Sequence, residues 1–265
     1  MKERFQLLLS LKVIEYEINE LSKFAKECDE CFDLLKTKLD SLHYFMTDEN
    51  NISLWREWGE DEDIVSFSER VRETSVRALC QMEKYQSVRS CNHLMNASEY
   101  ITTLSRSVKR ELEELEINSD SKVLFIGSGA FPVSALTIAS EKNAEVYCVD
   151  IDQEAVVMGE RVAEITGLGT LVSFSGKELR DLPFARKATH VVIASLVKNK
   201  LDVLRDLKDL LPERTKVIIR YGNGLKSIFN YPLEKDFSKD WELKRMDGID
   251  SIYDTMILQK QKVNT

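Results

Sequence analysis

The sequence predicts an α/β chain in two parts: an α-helical bundle, then an open, mostly parallel sheet with helices between its strands. Three observations carry this. The punctuation changes near residue 117, since before it there is no proline and Gly59 is the only glycine. Ahead of that point apolar residues recur with helical spacing; Leu7, Leu11, Ile14, Ile18, Leu21 and Ala25 fall on one helix face. Beyond it, short apolar runs alternate with helical stretches, as buried parallel strands in βαβ units do.

Each element follows in order. Further helical stripes run over 32–45, 64–85 and 92–115, giving a bundle of about five helices. Trp55 and Trp58 are expected to pack in it, with ligand stacking as the alternative. The apolar runs Val123–Ile126, Val146–Val149, Val191–Ala194 and Val217–Ile219 are the predicted parallel strands. The end differs: Trp241 to Met246, a turn at Asp247-Gly248, then Ile252 to Leu258 reads as an antiparallel pair. Domains are therefore expected at 1–116 (helical, covering an acceptor) and 117–265 (the sheet, a Rossmann-like domain).

Composition narrows the function. The 265 residues are 43% hydrophobic and 31% charged, a folded-protein composition. A net charge of −8 with no basic stripe argues against nucleic acid as a partner. No apolar run reaches the roughly 18 residues of a membrane span. Met1-Lys2-Glu3-Arg4 lacks the apolar block of a secretory signal, so a cytoplasmic location is expected. Five scattered cysteines read as reduced thiols. Cys28 and Cys31 form the one C-x-x-C, read as two residues on one side of a helix rather than as a redox pair or half a zinc site. No protein metal site is expected.

The strongest local signal is Lys122-Val-Leu-Phe-Ile-Gly-Ser-Gly-Ala-Phe-Pro132. A strand runs into Gly127, Ser128 and Gly129, whose glycines permit a tight turn and close approach of a ligand. Pro132 suits a first helical turn. The next strand ends in Val149-Asp150-Ile151-Asp152. Asp150 follows the glycines at the distance from which a carboxylate reaches ribose hydroxyls. Asp152 is the better helix N-cap, for a helix beginning near Glu154. Gly176, in the loop after the third strand, and Ser195, after the fourth, lie on the same edge, where ligands of open α/β sheets bind. A parallel sheet finished by a hairpin resembles the fold of S-adenosylmethionine (SAM)-dependent methyltransferases, which makes SAM the expected cofactor, used as a co-substrate.

A second signature follows the fifth strand: Arg220-Tyr-Gly-Asn-Gly-Leu-Lys-Ser-Ile-Phe-Asn-Tyr-Pro232. With Gly127-Ser-Gly-Ala-Phe-Pro132, it resembles the nicotianamine synthase family. The likeness is strong from 122 to 232 and weaker in the helical half. It looks closest to the short bacterial members that make opine-type metallophores such as staphylopine. The resemblance implies attack of an amine on the γ-carbon of SAM's methionine part. The product carries one 2-aminobutanoyl unit, and 5′-methylthioadenosine is released. The acceptor is implied to be the α-amine of histidine, with D-histidine favoured, and a dehydrogenase acts downstream.

The resemblance also suggests roles. Gln81-Met82-Glu83, Arg89 and Tyr100 align with the family's acidic and tyrosine positions. The amine must lose a proton, so Glu83 and Tyr100 are the catalytic candidates; a surface carboxylate is the alternative for Glu83. Arg220 either pairs with a substrate carboxylate or anchors its own loop. Tyr221 and Asn230 are further substrate-side candidates, and Tyr231 is either structural or lines the pocket. Two rival functions stand: a small-molecule methyltransferase and a non-catalytic SAM-binding protein. A homodimer is compatible with the sequence.

Overall fold

The computed structural model describes residues 1–92, 99–233, 241–246 and 252–261. Helices α1 (Lys2–Glu27), α2 (Cys31–Thr47), α3 (Glu49–Trp58) and α4 (Glu62–Cys91) pack around one core of Leu7, Leu11, Ile18, Leu35, Leu42, Ile64 and Val71. Capping explains two of the starts. Asp48 accepts from the Asn51 N–H ahead of α3, and Asp61 from Asp63 and Ile64 ahead of α4. Trp55 and Trp58 pack against this core, the first of the two expectations for them.

The sheet orders its strands β3-β2-β1-β4-β5-β7-β6. Strands β1 (Lys122–Ile126), β2 (Glu145–Val149), β3 (Val172–Ser175), β4 (His190–Ile193) and β5 (Lys216–Tyr221) are parallel. Strand β7 (Asp254–Lys260) pairs antiparallel with both β5 and β6 (Trp241–Met246). The terminal antiparallel pair is thus as the sequence predicts, although its turn at Asp247-Gly248 lies outside the described residues. Helices α6 (Val133–Lys142), α7 (Gln153–Ile165) and α8 (Lys200–Lys208) fill the crossovers. Asp152 caps α7 by accepting from Glu154 and Ala155, while Pro132 stands just before α6 rather than inside it.

Helix α5 (Glu99–Leu115) falls in the predicted helical half, but its apolar face is buried against the sheet. Val108, Leu112 and Leu115 share a core with Val123, Phe125, Ile138 and Ile218. The C-x-x-C also differs from expectation. Helix α1 ends at Glu27 and Cys28 is extended, at φ −146°, so Cys28 and Cys31 flank a turn between two helices. All five thiols are free. Among the described residues, no helix is long and apolar enough to cross a membrane.

A buried ion pair stitches α5 to the sheet. Arg220 on β5 is 3% exposed. Its Nε and Nη2 donate to Glu111, at 3.1 and 2.6 Å to Oε2, and its Nη1 donates to the Ser134 hydroxyl at 2.8 Å. Thr255 on β7 donates to the other Glu111 oxygen at 2.7 Å. Arg220 thus ties β5 to α5 and α6 rather than anchoring its own loop, and its guanidinium is committed inside the protein. Removing one partner of a buried pair leaves an uncompensated charge, at a cost of about 3–5 kcal/mol. Glu111→Ala is accordingly expected to lower stability by about that amount in a urea melt. A loss below about 1 kcal/mol, the level of an exposed pair, would contradict this reading of the pair.

Candidate functional site

The glycine turn is built as its residues require. Gly127 and Gly129 sit at φ +79° and +71°, a region unfavourable to side chains. The Gly127 N–H donates to the Val149 carbonyl at 2.8 Å, which ties the end of β1 to that of β2. Asp150 then closes the turn: its Oδ2 accepts from the Gly129 N–H at 2.8 Å and its Oδ1 from Asp152 at 3.0 Å. Each carboxylate oxygen keeps a second lone pair for a ligand hydroxyl. Ile151, beside it, is 99% exposed, an apolar side chain held in the open at the ligand edge. Ser128 is buried. The Gly176 carbonyl accepts from Gln153 at 3.2 Å, and a side chain at Gly176 would collide with that Gln153 amide, 1.8 Å away.

Helix α4 lies over this edge of the sheet. Residues 73, 80, 83, 84 and 87 share one side of a helix. At one end Ser87 donates to the Ala130 carbonyl at 2.5 Å. Lys84 pairs there with Asp152 at 2.7 Å and Glu154 at 2.5 Å. Toward the other end Arg72 donates to the Ser227 carbonyl at 2.8 Å and Glu73 pairs with Lys198 at 2.9 Å. Between the two attachments Cys80 is exposed, so the helix spans a gap.

Glu83 lies on the sheet-facing side of α4. A Cβ on Gly129 would stand 2.3 Å from Glu83 Oε2, so the absence of a side chain there is what lets the carboxylate approach the turn. The Ala130 N–H donates to Glu83. Glu83 keeps some contact with solvent while protein surrounds it, the geometry of a group lining a cleft. Desolvation, and after it the nearby Asp150 charge, pushes its carboxyl up to about 8.

The other sequence candidates fall as follows. Of Gln81-Met82-Glu83, only Glu83 reaches the turn: Gln81 donates to the Ser22 carbonyl, and Met82 is buried in the bundle core. Arg89 donates to the Tyr85 phenol at 2.7 Å. Tyr100 belongs to α5, but its side chain lies outside the described residues. Tyr221 points to the face of β5 opposite Arg220 and packs in the cluster containing Trp241 and Met256. Asn230 is 1% exposed and donates to the Lys226 and Ile252 carbonyls, holding its own loop. Tyr221 and Asn230 thus have packing roles where substrate contact was expected, because both are walled in. Tyr231 lines a surface pocket with Arg72, Glu73 and Lys198. Its phenol donates to Glu73 and is held up to about 12, first by burial and then by that carboxylate.

Sequence reasoning missed Lys200. It is 1% exposed, and its ammonium donates to the carbonyls of Ser195 at 3.0 Å, Val197 at 2.6 Å and Tyr231 at 3.3 Å. The Tyr231 N–H donates back to Ser195 at 3.1 Å. Ser195 is thus the knot joining the loops after β4 and β5. A lysine at the start of a helix gives no sequence signal for this. Among the described residues no group of three His, Cys, Asp or Glu could hold a metal ion.

The chain is similar to known proteins over its whole length. The family model described as nicotianamine synthase protein matches residues 87–265. A Pseudomonas aeruginosa protein named L-histidine 2-aminobutanoyltransferase is 35% identical over 98% of this chain and 99% of its own. A Yersinia pestis protein of the same name is 31% identical over 96% and 95%. Among solved structures, MtNAS in complex with MTA and tNA has a TM-score of 0.78 at 15% identity, covering 95% of this chain and 97% of that one. A variant of MtNAS in complex with S-adenosylmethionine has a TM-score of 0.73 at 14% identity, covering 93% and 97%. At those identities the likeness speaks for the fold.

The raised Glu83 carboxyl has a consequence for stability. An unfolded glutamate ionises near pH 4.5, whereas Glu83 in the folded chain holds its proton to about pH 8. Between those values the folded state binds more protons, so stability present at pH 4.5 is lost as pH rises toward 8. Glu83→Gln removes that loss. Thermal melts of the ligand-free protein should find the variant gaining on wild type from pH 5 to pH 8. A difference that is constant across the range would show that Glu83 titrates normally.

Proposed function

Because this chain belongs to the nicotianamine synthase family, we propose that it transfers the 3-amino-3-carboxypropyl (2-aminobutanoyl) group of SAM to the α-amine of histidine. The second product is 5′-methylthioadenosine. Near full-length relatives carry the name L-histidine 2-aminobutanoyltransferase. L-histidine accordingly replaces the D enantiomer that the sequence resemblance favoured. The observation that carries the reading is Glu83, held against the Gly129 turn beside Asp150.

The site fits SAM on its own terms. Two positive-φ glycines build the tight turn, and Asp150 presents lone pairs to a cis-diol. The exposed Ile151 is apolar cover for an adenine face, with Gly176 and Ser195 on the same edge. Bound SAM supplies a sulfonium that activates each carbon attached to it. Selecting the γ-carbon over the methyl is then a matter of orientation. The amine lone pair forms the N–Cγ bond, and the Cγ–S pair returns to sulfur, leaving a neutral thioether. The amine must first be deprotonated. A carboxylate titrating near neutrality can hold the ammonium and accept that proton, which Glu83 is poised to do. Tyr100 is the second candidate for this step.

The rest of the proposal concerns context. Helices α1–α4 cover the acceptor, and the sheet with α5 to α8 carries SAM. The aminobutanoyl-histidine product has a free primary amine, suited to reductive condensation by an opine-type dehydrogenase in metallophore synthesis. The protein acts in the cytoplasm as a homodimer.

Product analysis with SAM and L-histidine tests the reaction. Methylthioadenosine and a singly extended histidine are expected; S-adenosylhomocysteine would instead mark a methyltransferase, and no turnover a binding protein. Asp150→Ala should weaken SAM binding more than tenfold by calorimetry, since charge-assisted hydrogen bonds of about 1.5–3 kcal/mol each are lost. Unchanged affinity would remove Asp150 from the ribose site. Glu83→Gln should keep SAM binding but lower turnover by about 10²-fold, the usual general-base contribution. If turnover stays within a few-fold of wild type, Glu83 is a bystander and Tyr100 takes its place.

A further inference from the structure

Helix α1 carries two apolar faces, and only one of them is accounted for. Leu7, Leu11, Ile14 and Ile18 are buried in the bundle. On the opposite side Met1, Phe5, Leu9, Val13, Tyr16 and Phe24 are 43–73% exposed. Spacings of three and four keep Met1 to Tyr16 in one stripe over the first two-thirds of the helix, with Phe24 eight residues further on and Glu20 between. Scattered exposed apolar residues need no explanation, but a contiguous stripe on an otherwise charged chain marks a contact surface.

We infer that this face of α1 is where two copies of the chain meet, antiparallel about a two-fold axis near Leu11. The inference rests on the homodimer part of the proposed function and supplies its surface. Area supports a second copy as the occupant. With a large apolar side chain at about 200 Å², the stripe offers roughly 600 Å² per copy and roughly 1,200 Å² per pair, the lower edge of the stable range. Self-complementarity supports it as well. An axis at Leu11 sets Leu9 opposite Val13 of the second copy and Phe5 within a residue of its Tyr16. It also sets Lys2 opposite Glu20, and both of these lie on the striped side of the helix. Glu20 pairs with Lys23 within its own chain at 2.6 Å, so Lys2 of the other copy would join an existing pair. A two-fold interface demands this kind of reciprocal match.

Sedimentation velocity of the full chain at micromolar concentration tests the inference. Wild type is expected to run as a dimer, and Leu9→Glu with Val13→Glu as a monomer with unchanged circular dichroism. Methylthioadenosine production should persist, since neither residue faces the site. Charge variants check the register without touching the apolar stripe. Lys2→Glu should weaken the dimer severalfold, and Glu20→Lys added to it should restore the affinity. A monomeric wild type would overturn both the inference and the homodimer reading. A dimer that survives Leu9→Glu with Val13→Glu would overturn the inference alone. Co-sedimentation of monomeric wild type with phosphatidylcholine–phosphatidylglycerol vesicles would assign the stripe to a lipid surface instead, and would also overturn it.

Discussion

The site depends on α4 being held across the carboxyl ends of the parallel strands and tied down at two places, near its C-terminal end and close to its middle. Ser87 and Lys84 fix it to the loops after β1 and β2, and Arg72 and Glu73 fix it to those after β5 and β4. Without those ties an open α/β sheet presents its ligand edge to bulk water. With them, the stretch between becomes a roof, and Glu83 is carried to the Gly129 turn. The glycine turn alone would serve many SAM-binding chemistries. The particular chemistry comes from which helical side chain is brought over it, and that side chain belongs to an element more than forty residues earlier in the chain.

The electrostatic consequence is that Glu83 resists ionisation. Glu83 is desolvated and feels Asp150, whose own oxygens accept two backbone N–H groups. Desolvation first, and the Asp150 charge second, therefore hold the proton on Glu83. The environment changes when a sulfonium and an ammonium enter the same space, since each positive charge favours ionised Glu83. In the proposed reaction, Glu83 thus becomes a base when both substrates are present, with no change of fold.

Much of this was legible in the sequence. The strand runs, the glycine turn, the Asp152 cap and the terminal antiparallel pair are local patterns, and local patterns survive in one dimension. Glu83 was legible as a candidate through its family position, but its closeness to Gly129 was not, because it depends on how α4 crosses the sheet. Helix α5 was grouped with the bundle for the same reason. Its amphipathic pattern says that one face is buried without saying against what. Tyr221 and Asn230 were read as substrate-side, and Arg220 as either substrate-side or an anchor of its own loop, because they fall in the stretch that carries the family resemblance. Strand alternation sends Arg220 and Tyr221 to opposite faces, and each found a partner inside the protein.

That outcome changes what the Arg220 to Pro232 stretch is for. Its first residue is clamped by Glu111 and Ser134, and Asn230 is tied to the Ile252 carbonyl. The backbone of Tyr231 is knotted to Ser195, with Lys200 beneath both loops. Apolar residues between these points, Leu225, Ile228 and Phe229, sink into the bundle core. The stretch is therefore the hinge plate on which the helical half is mounted. Its unusual sequence is set by the need to satisfy two halves at once, the buried charge of Arg220 on the sheet side and an apolar surface on the other. The motif thus works through the architecture it builds, with Tyr231 and Pro232 at its end reaching a pocket wall.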